Sequence, residues 1–541
     1  MIPNKSLAAC AALLMCASVA HAAQSSEERR LSELRNTVVN LLQGLVERGV
    51  ITREQAEKMV ADAQTKAEAD AAVLAATEQA EAGAVRVPYI PEIVKQEIRT
   101  QVSADLKREV TAEVIEQAKV EDWAIPGALP DWIRRLRFSG DIRLRGQGDT
   151  FAEDNVTGAY VDFLTVNDRG GIGRAGTAAL VNTTEERQRL RARLRFGFDT
   201  ELGYGWSAGF KLATGSNLRD AVSTNQTLGN TGARYTIGVD QAYLRHTGVS
   251  HSNRRQLTLT GGRMTNPWSS TDLVFDNDLN FEGITANYRV ALQRDELFSR
   301  FVYLTLGGFP IEEFEINNED KWLLGGQLGM EFKLDSGSRL KVAGAYYDYR
   351  NMVGQRNVLD SNLLDYSAPK FLQRGNTLFD IRNDADGTTN LFALAAQYRL
   401  ADVTASFDWR LSPEYRLAFS GNYVKNIGYD EAEVNQRLGL AIEPRTRGYQ
   451  FESAFGSTNM AKASAWRVSL AYRYLERDAV LDAFTDSDFR LGGTDVKGFI
   501  IGGDYSLTPR MLLRARYLSG NEIDGPPLGI DVFQLDLNST F

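Results

Sequence analysis

Residues 189–199 read RLRARLRFGFD, and this stretch decides the fold class. Arginine stands at every second position from Arg189 to Arg195, and apolar residues stand between them. A period of two is typical of a β-strand, because successive side chains point to opposite faces of a sheet. The stretch therefore predicts a strand with one apolar face and one basic face.

The same alternation recurs over residues 134–541, for example in 136–144, 206–212, 403–411 and 466–474. A soluble sandwich would need several domains to use roughly 400 such residues, and no linker between domains is visible. A membrane barrel uses the pattern in every strand, because the apolar face meets lipid and the polar face meets a wet interior. Strands of about ten residues also match a tilted crossing of the bilayer.

The connections between these strands alternate in length. Short turns are predicted at Asp199 to Gly203, Asp335 to Ser338 and near Pro509. Long polar loops are predicted over residues 146–186, 215–234, 351–390, 428–447 and 476–495. Residues 126–541 are therefore predicted to form one mainly β domain, a transmembrane antiparallel β-barrel of 16 strands. Since bacterial single-chain barrels have even strand numbers, 18 strands is the alternative. A barrel of this size leaves an aqueous channel.

The first 22 residues predict a secretory signal peptide. Lys5 precedes an apolar run, and Ala20-His21-Ala22 offers a cleavage site with small residues. Leu7 to Cys10 resembles a lipobox, but the apolar run follows that cysteine instead of preceding it. Cleavage after Ala22 would remove Cys10 and Cys16, the only cysteines of the sequence. The mature chain would then have no thiol for a disulfide.

Residues 23–125 predict a separate helical segment. Leucines and valines at helical spacing stop at Gly49, and Thr52 with Gln55 predicts a capping box that opens a second helix. After Pro91, apolar residues recur every four positions as far as Ala118. This stripe predicts either a parallel self-associating coiled coil or a helix packed on its own hairpin or under the barrel.

Composition argues against catalysis. The 541 residues are 24% charged and 43% hydrophobic with a mean hydropathy of −0.30, too polar for a helical membrane protein and too apolar for a disordered chain. Two cysteines and three histidines leave little material for zinc sites, thiol catalysis or a Ser-His-Asp triad. We expect no enzyme activity, no cofactor, no metal site and no nucleic-acid partner.

Two local motifs have weak support. Residues 171–176 match the spacing G-x-G-x-x-G, but they follow no hydrophobic strand and open no predicted helix, so a dinucleotide site is not expected. Residues 383–387 resemble half of a calcium loop, but Ala395 stands where the bidentate glutamate should be. An EF-hand is therefore excluded, and a weak calcium site in a loop stays an alternative.

Several stretches together resemble the putative porin family of Gram-negative outer membranes. They are residues 41–52, 89–95, 140–145, 191–197 and 261–268, and the resemblance covers essentially the whole mature chain. Phe533, Leu535, Leu537 and the terminal Phe541 resemble the final strand of outer-membrane barrels. The resemblance implies passive diffusion of small hydrophilic solutes or ions across the outer membrane, with the N-terminal segment in the periplasm. We expect contact with outer-membrane lipid and a homo-oligomer, with a trimer favoured.

Basic residues on the predicted inner face are the candidate pore lining. They are Arg137, Arg143, Arg145, Arg189, Arg191, Arg193 and Arg195. Rows of arginine attract anions in pores, so a local preference for anionic solutes is one interpretation. The alternative is that opposite walls supply Asp and Glu, which would leave little net preference. The chain has a formal charge of −9, so any anion preference must be local.

A second function class is a structural envelope tether. In that hypothesis the helical segment binds peptidoglycan or a periplasmic partner, and the barrel serves mainly as an anchor. Single-channel conductance discriminates the two classes, because an anchor would be closed.

Overall fold

The computed structural model describes residues 135–541 except 216–219, 295–297, 316 and 335–336, together with single positions between residues 46 and 68. The predicted signal peptide, most of the predicted helical segment, its apolar stripe and the boundary at residues 125–126 lie outside the described residues. The predicted capping box is described: the amide of Thr52 donates to Gln55 Oε1 (2.8 Å), and the amide of Gln55 donates to Thr52 Oγ1 (3.3 Å). The capping-box prediction is therefore confirmed.

Within the described residues, sixteen antiparallel strands form a closed barrel, in which β1 pairs with both β2 and β19. In chain order the strands are β1 (Arg137–Phe151), β2 (Arg187–Gly203), β3 (Trp206–Thr214), β4 (Gln226–Thr227), β5 (Ile237–Val249), β6 (Arg255–Thr265), β7 (Asn280–Arg294), β8 (Phe298–Glu312), β9 (Lys321–Leu334), β10 (Arg339–Arg350), β11 (Leu378–Asp380), β12 (Phe392–Leu394), β13 (Arg399–Arg410), β14 (Tyr415–Asn426), β15 (Arg447–Ser457), β16 (Trp466–Leu475), β17 (Val496–Thr508), β18 (Met511–Glu522) and β19 (Gly529–Thr540). The short strands β4, β11 and β12 lie in loops, so the predicted number of sixteen is confirmed.

The outer face carries the apolar residues that the period of two places there. Leu190 is 66% exposed, and Leu194, Phe196 and Leu470 are exposed as well. The arginines that alternate with the first three of these residues, Arg191, Arg193 and Arg195, point inward. Trp466 is half-buried because it packs on Phe455 and Tyr415 of the neighbouring strands. This distribution suits a barrel with lipid outside and polar groups inside.

Three predicted connections have different bounds in the structure. The β2–β3 turn is at Tyr204 and Gly205, not at Asp199 to Gly203, because β2 stays paired with β3 as far as Gly203. The first long loop begins after Phe151, not at residue 146, because β1 stays paired with β19 to that point. The loop predicted over 351–390 extends to residue 398 and contains the β11–β12 hairpin.

Helices occur in the loops of the described region. They are α1 (Phe163–Arg169), α2 (Ile172–Ala175) and α3 (Glu431–Leu438), with short 3-10 turns at Gly176–Ala179, Asp365–Ser367, Asp482–Phe484 and Phe489–Leu491. The G-x-G-x-x-G motif includes α2, which has only four residues. None of the helices in the described residues is long and apolar enough to cross a membrane.

The apolar core lies inside the barrel, where long loops fold back between the strands. Trp268, Phe275, Tyr347, Tyr398 and Leu481 belong to one buried cluster. Trp268 and Phe275 lie in the β6–β7 connection, Tyr347 lies in β10, Tyr398 immediately precedes β13, and Leu481 lies in the β16–β17 loop. Part of the lumen is therefore filled by protein.

Candidate functional site

Residues 266–279, which connect β6 to β7, fold into the barrel; we call them the inserted segment. Trp268 is 6% exposed, and its ring lies 5.3 Å from the ring of Tyr347 and 6.1 Å from that of Phe309. A Cβ atom on Gly325 would come within 2.7 Å of the indole. Glycine at position 325 therefore leaves the room in which the tryptophan is held.

Polar contacts fix the inserted segment to two separate parts of the wall. The amide of Ser269 donates to Gln327 Oε1 of β9 (2.8 Å). Further along, Thr271 Oγ1 donates to Asn422 Oδ1 of β14 (2.7 Å), and Asp272 Oδ1 accepts from Gln450 Nε2 of β15 (2.7 Å). Since β9 and β15 are not neighbours, the segment crosses the interior and narrows it.

The predicted arginine row faces inward, and most of its charges are paired. Arg193 and Arg195 both bind Asp141 at 2.7 Å, and both approach Asp278 of the inserted segment at 3.3 and 3.4 Å. In the same way, Arg189 binds Asp149 at 2.6 Å. The carboxylates come from the adjacent strand and from the inserted segment. The alternative in which opposite walls supply further acids stays a prediction.

The β1 arginines differ in their surroundings. Arg145 is buried and binds Asp536 of β19 (2.7 Å) and Asp488 of the β16–β17 loop (2.9 Å). Arg143 donates to Asn538 Oδ1 (2.9 Å) and lies 3.7 Å from Asp536. By contrast, Arg137 is exposed at the turn end of β1 and is not part of this cluster.

Arg191 is the member of the row that has no direct ion pair among the described residues. Among the described residues it has no carboxylate within 4 Å, and its three hydrogen bonds are long and go to neutral oxygens. Those partners are Gln147 Oε1 (3.4 Å), Ser223 Oγ (3.4 Å) and the carbonyl of Asn225 (3.5 Å). A guanidinium in such a setting is available to a passing anion.

A second set of arginines, which sequence reasoning missed, lines the wall formed by β16–β18. Arg467 and Arg514 share Asp504, while Arg473 binds Asp272 (3.0 Å) and Asp486 (3.1 Å). Their alternation with Val468, Tyr472 and Leu513 could have indicated an inward orientation. Nothing in the local sequence could have indicated the acids of the loops that pair with Arg473.

Residues 476–495 between β16 and β17, which we call the acidic loop, bring carboxylates onto this cluster. Burial alone would raise the pKa of Asp488, but the guanidinium groups of Arg145 and Arg516 hold that pKa well below its usual range. Asp488 therefore stays charged. In the same loop, burial raises the pKa of Asp482 to about 7, and one of its oxygens, Oδ1, has no hydrogen-bond partner.

A polar cavity of about 450 Å³ lies between the inserted segment and the wall of β13–β18. Its lining includes Ser269, Ser270, Thr271, Asp272, Thr404, Ser406, Ser420, Glu452, Arg467, Ser469, Asp504, Arg514 and Arg516. Hydroxyl groups and charges of both signs can replace the water around a hydrophilic solute. The arrangement suits transient binding during passage.

The half calcium loop at residues 383–387 holds its carboxylates with hydroxyl groups of the same loop. Asp384 Oδ2 accepts from Thr389 Oγ1 (2.6 Å), and Asp386 Oδ1 accepts from Thr388 Oγ1 (2.6 Å), so both carboxylates bond within their own loop. In the part of the chain that the structure describes, no group of three or more His, Cys, Asp or Glu side chains could hold a metal ion. The calcium hypothesis stays a prediction.

Comparisons with known proteins give a family match over nearly the whole chain. Residues 35–541 match the family described as "Putative porin". No curated protein matches the sequence. Among solved structures, OprB of Pseudomonas putida has 11% identity and a TM-score of 0.42, over 76% of this chain and 95% of its own. OmpF of Salmonella typhi in complex with daunomycin has 10% identity and a TM-score of 0.38, over 75% of this chain and 97% of its own. The outer membrane channel DcaP of Acinetobacter baumannii has 13% identity and a TM-score of 0.32, over 75% of this chain and 97% of its own. With similarities this low, the functional argument depends on the family match and on the residues described above.

Proposed function

The chain belongs to the putative porin family, and we propose that small hydrophilic solutes cross its barrel by passive diffusion past the inserted segment. It is an outer-membrane channel and not an enzyme. The observation that carries the proposal is the inserted segment itself, which joins β9 to β14–β15 across the lumen and leaves a hydroxyl-rich cavity beside it. A solute must pass this narrowed, charged section.

The charges of this narrowed part of the channel determine which ions it would favour. Paired guanidinium and carboxylate groups attract and repel a passing ion to similar extents, so they orient polar solutes and favour neither sign strongly. Arg191 is the exception because it lacks a carboxylate partner among the described residues. We therefore propose a weak, local preference for anions that depends mainly on Arg191, with Arg143, Arg189 and Arg195 as the surrounding pore lining. Arg145 and Arg193 are buried in ion pairs and hold the carboxylates of this cluster.

A planar-bilayer experiment tests both parts of the proposal. Purified protein should give open-channel conductance, and a closed barrel would favour the tether hypothesis instead. Under a salt gradient, Arg191→Gln should shift the reversal potential toward cations. A unit charge about 6.5 Å from an ion in water contributes ~0.6 kcal/mol, which corresponds to roughly a threefold change in the permeability ratio.

Arg137→Gln is the matched control, because Arg137 is exposed at the turn end of the barrel. It should leave the reversal potential unchanged. Raising the salt to about 1 M should remove most of the Arg191 effect, since the Debye length falls to about 3 Å. Equal shifts for both variants would contradict the role assigned to Arg191.

Two further expectations concern topology and assembly. Both Arg137 of β1 and Thr540 of β19 lie at the short-turn end, which supports placing the preceding residues 23–125 in the periplasm. Gly146 and Gly148 of β1 leave open space where a Cβ would be, so a second barrel could approach β1 closely. A homo-oligomer, with a trimer favoured, would use this surface. Native mass spectrometry of Gly146→Trp should then show a smaller assembly than that of the unaltered protein.

A further inference from the structure

Four cations face outward at the loop end of the wall formed by β13–β17. They are Arg399 of β13, Lys425 of β14, Arg447 of β15 and Lys497 of β17, and all four are exposed. Lys425 and Arg447 are direct partners in the β14–β15 register. Like charges directly opposite one another destabilise a sheet, so a bound anion would stabilise this pair.

Few carboxylates of the chain offset this charge. Arg399 Nε lies 3.5 Å from Asp348, which also binds Arg350 at 3.1 Å. Arg447 Nε is 4.0 Å from Glu476. Among the described residues, neither Lys425 nor Lys497 has a carboxylate within 4 Å. The patch of Arg399, Lys425, Arg447 and Lys497, which we call the outer basic patch, is therefore positive.

Tyrosines place the outer basic patch at the membrane surface. Tyr423, Tyr449 and Tyr474 are cross-strand neighbours. They are in register with Lys497, which is opposite Tyr474, and the first two lie two residues from Lys425 and Arg447 along their strands. The rings of Tyr449 and Tyr474 stack at 5.1 Å with an interplanar angle of 14°. Because tyrosines concentrate at the boundary between hydrocarbon and water, the patch lies at headgroup level on the loop side.

An apolar hollow begins beside Lys425 and crosses the outer face over β14, β13, β10 and β9. It has a volume of about 610 Å³, and its lining includes the small residues Ala401, Gly344 and Gly326. A Cβ atom on Gly344 would meet nothing within 4 Å. The hollow shares Gly326 and Tyr346 with a second one of about 560 Å³, which has Arg350 in its lining. We call the two hollows together the outer groove.

We propose that the outer basic patch and the outer groove bind a phosphorylated lipid of the leaflet on the loop side. Its phosphates contact Lys425 and Arg447, and one acyl chain occupies the groove over Gly344. Basic clusters at headgroup level bind anionic lipids, and a groove of apolar residues and glycine suits an acyl chain. A second copy in a two-fold contact would bring equal cations together, and their repulsion disfavours it. The proposal goes beyond the channel function and does not depend on solute identity.

The test uses the full-length protein in detergent and native mass spectrometry. The probe is a hexa-acylated glucosamine disaccharide carrying two phosphates, and the comparison is the same lipid without phosphates. The unaltered protein should bind the phosphorylated form at least tenfold more tightly. Lys425→Gln with Arg447→Gln should weaken that binding by roughly 25-fold, at about fivefold for each charge removed. The matched control is Arg410→Gln with Arg510→Gln, two exposed arginines at the turn end.

A second variant tests the groove independently. Gly344→Leu fits the open space and should weaken binding of both lipid forms while leaving single-channel conductance unchanged. Equal affinity for the two lipids, or equal losses in the patch variant and its control, would overturn the proposal. Displacement of the lipid by inorganic phosphate at the same concentration would show that the acyl chain is not bound. A change in the number of chains per particle without a change in lipid binding would make the surface an interface between copies.

Discussion

Replacing Trp268 with alanine tests whether the inserted segment sets the width of the channel. Trp268 is 6% exposed and is held between Phe309, Tyr347 and the space left by Gly325. Truncating a buried tryptophan to alanine costs about 3–5 kcal/mol. The contacts of Ser269, Thr271 and Asp272 with the wall remain, each contributing about 1 kcal/mol. Phe275 in the buried cluster and Asp278 in its ion pairs also hold the segment, so the loss should raise the fraction of molecules in which the segment opens transiently, without releasing it completely.

The expected result is a larger single-channel conductance with added low-frequency noise. Chymotrypsin should also cleave the inserted segment, for example after Phe275, which is buried in the unaltered protein. Gly325→Val is an independent perturbation, because its Cβ would lie 2.7 Å from the indole and would force Trp268 out. Trp206→Ala is the control, since Trp206 is exposed on the outer face. Unchanged conductance in both variants, together with proven cleavage of the segment, would refute the view that this segment narrows the pore.

Other predictions concern single carboxylates. Burial raises the folded-state pKa of Asp482 to about 7. The stability of the acidic loop is therefore greatest below about pH 4 and declines as pH rises from about 4 to 7, because the carboxyl group loses its proton more easily in the unfolded chain. Asn at this position carries no charge, so Asp482→Asn should stabilise the acidic loop at pH 8. Limited proteolysis of the acidic loop at pH 5 and pH 8 measures this, and a pH dependence that persists in the variant would contradict it. Asp141→Asn should lower the free energy of unfolding by about 2–3 kcal/mol, because Arg193 and Arg195 would then share only Asp278. Urea unfolding in detergent measures the loss, which Asp408→Asn should not reproduce, since Asp408 lies 3.4 Å from a half-exposed Arg416.

The sequence alone determined which face of each strand lies on the outside of the barrel. The alternation of Leu190 and Leu194 with Arg191 and Arg193 is a local property, because adjacent residues of a strand must point to opposite sides whatever surrounds them. The number of strands did not follow from the period alone, which left sixteen or eighteen open; sixteen was chosen because bacterial single-chain barrels have even strand numbers. The turn after β2 was misplaced by a few residues, since strand pairing, and not turn composition, decides where a strand ends.

Only the tertiary structure decided what the inward charges meet. Arg145 pairs with Asp488, which is 343 positions away in sequence, and Arg193 pairs with Asp278, 85 positions away. The first acid belongs to the acidic loop and the second to the inserted segment, and neither region has a periodic pattern that predicts inward folding. These contacts form because a closed barrel brings distant strands and loops into one enclosed volume, where the acids can reach the arginines. An isolated charge is costly in that volume. Among the described residues, Arg191 has no carboxylate partner because of where the acids lie, which the arginine pattern does not predict.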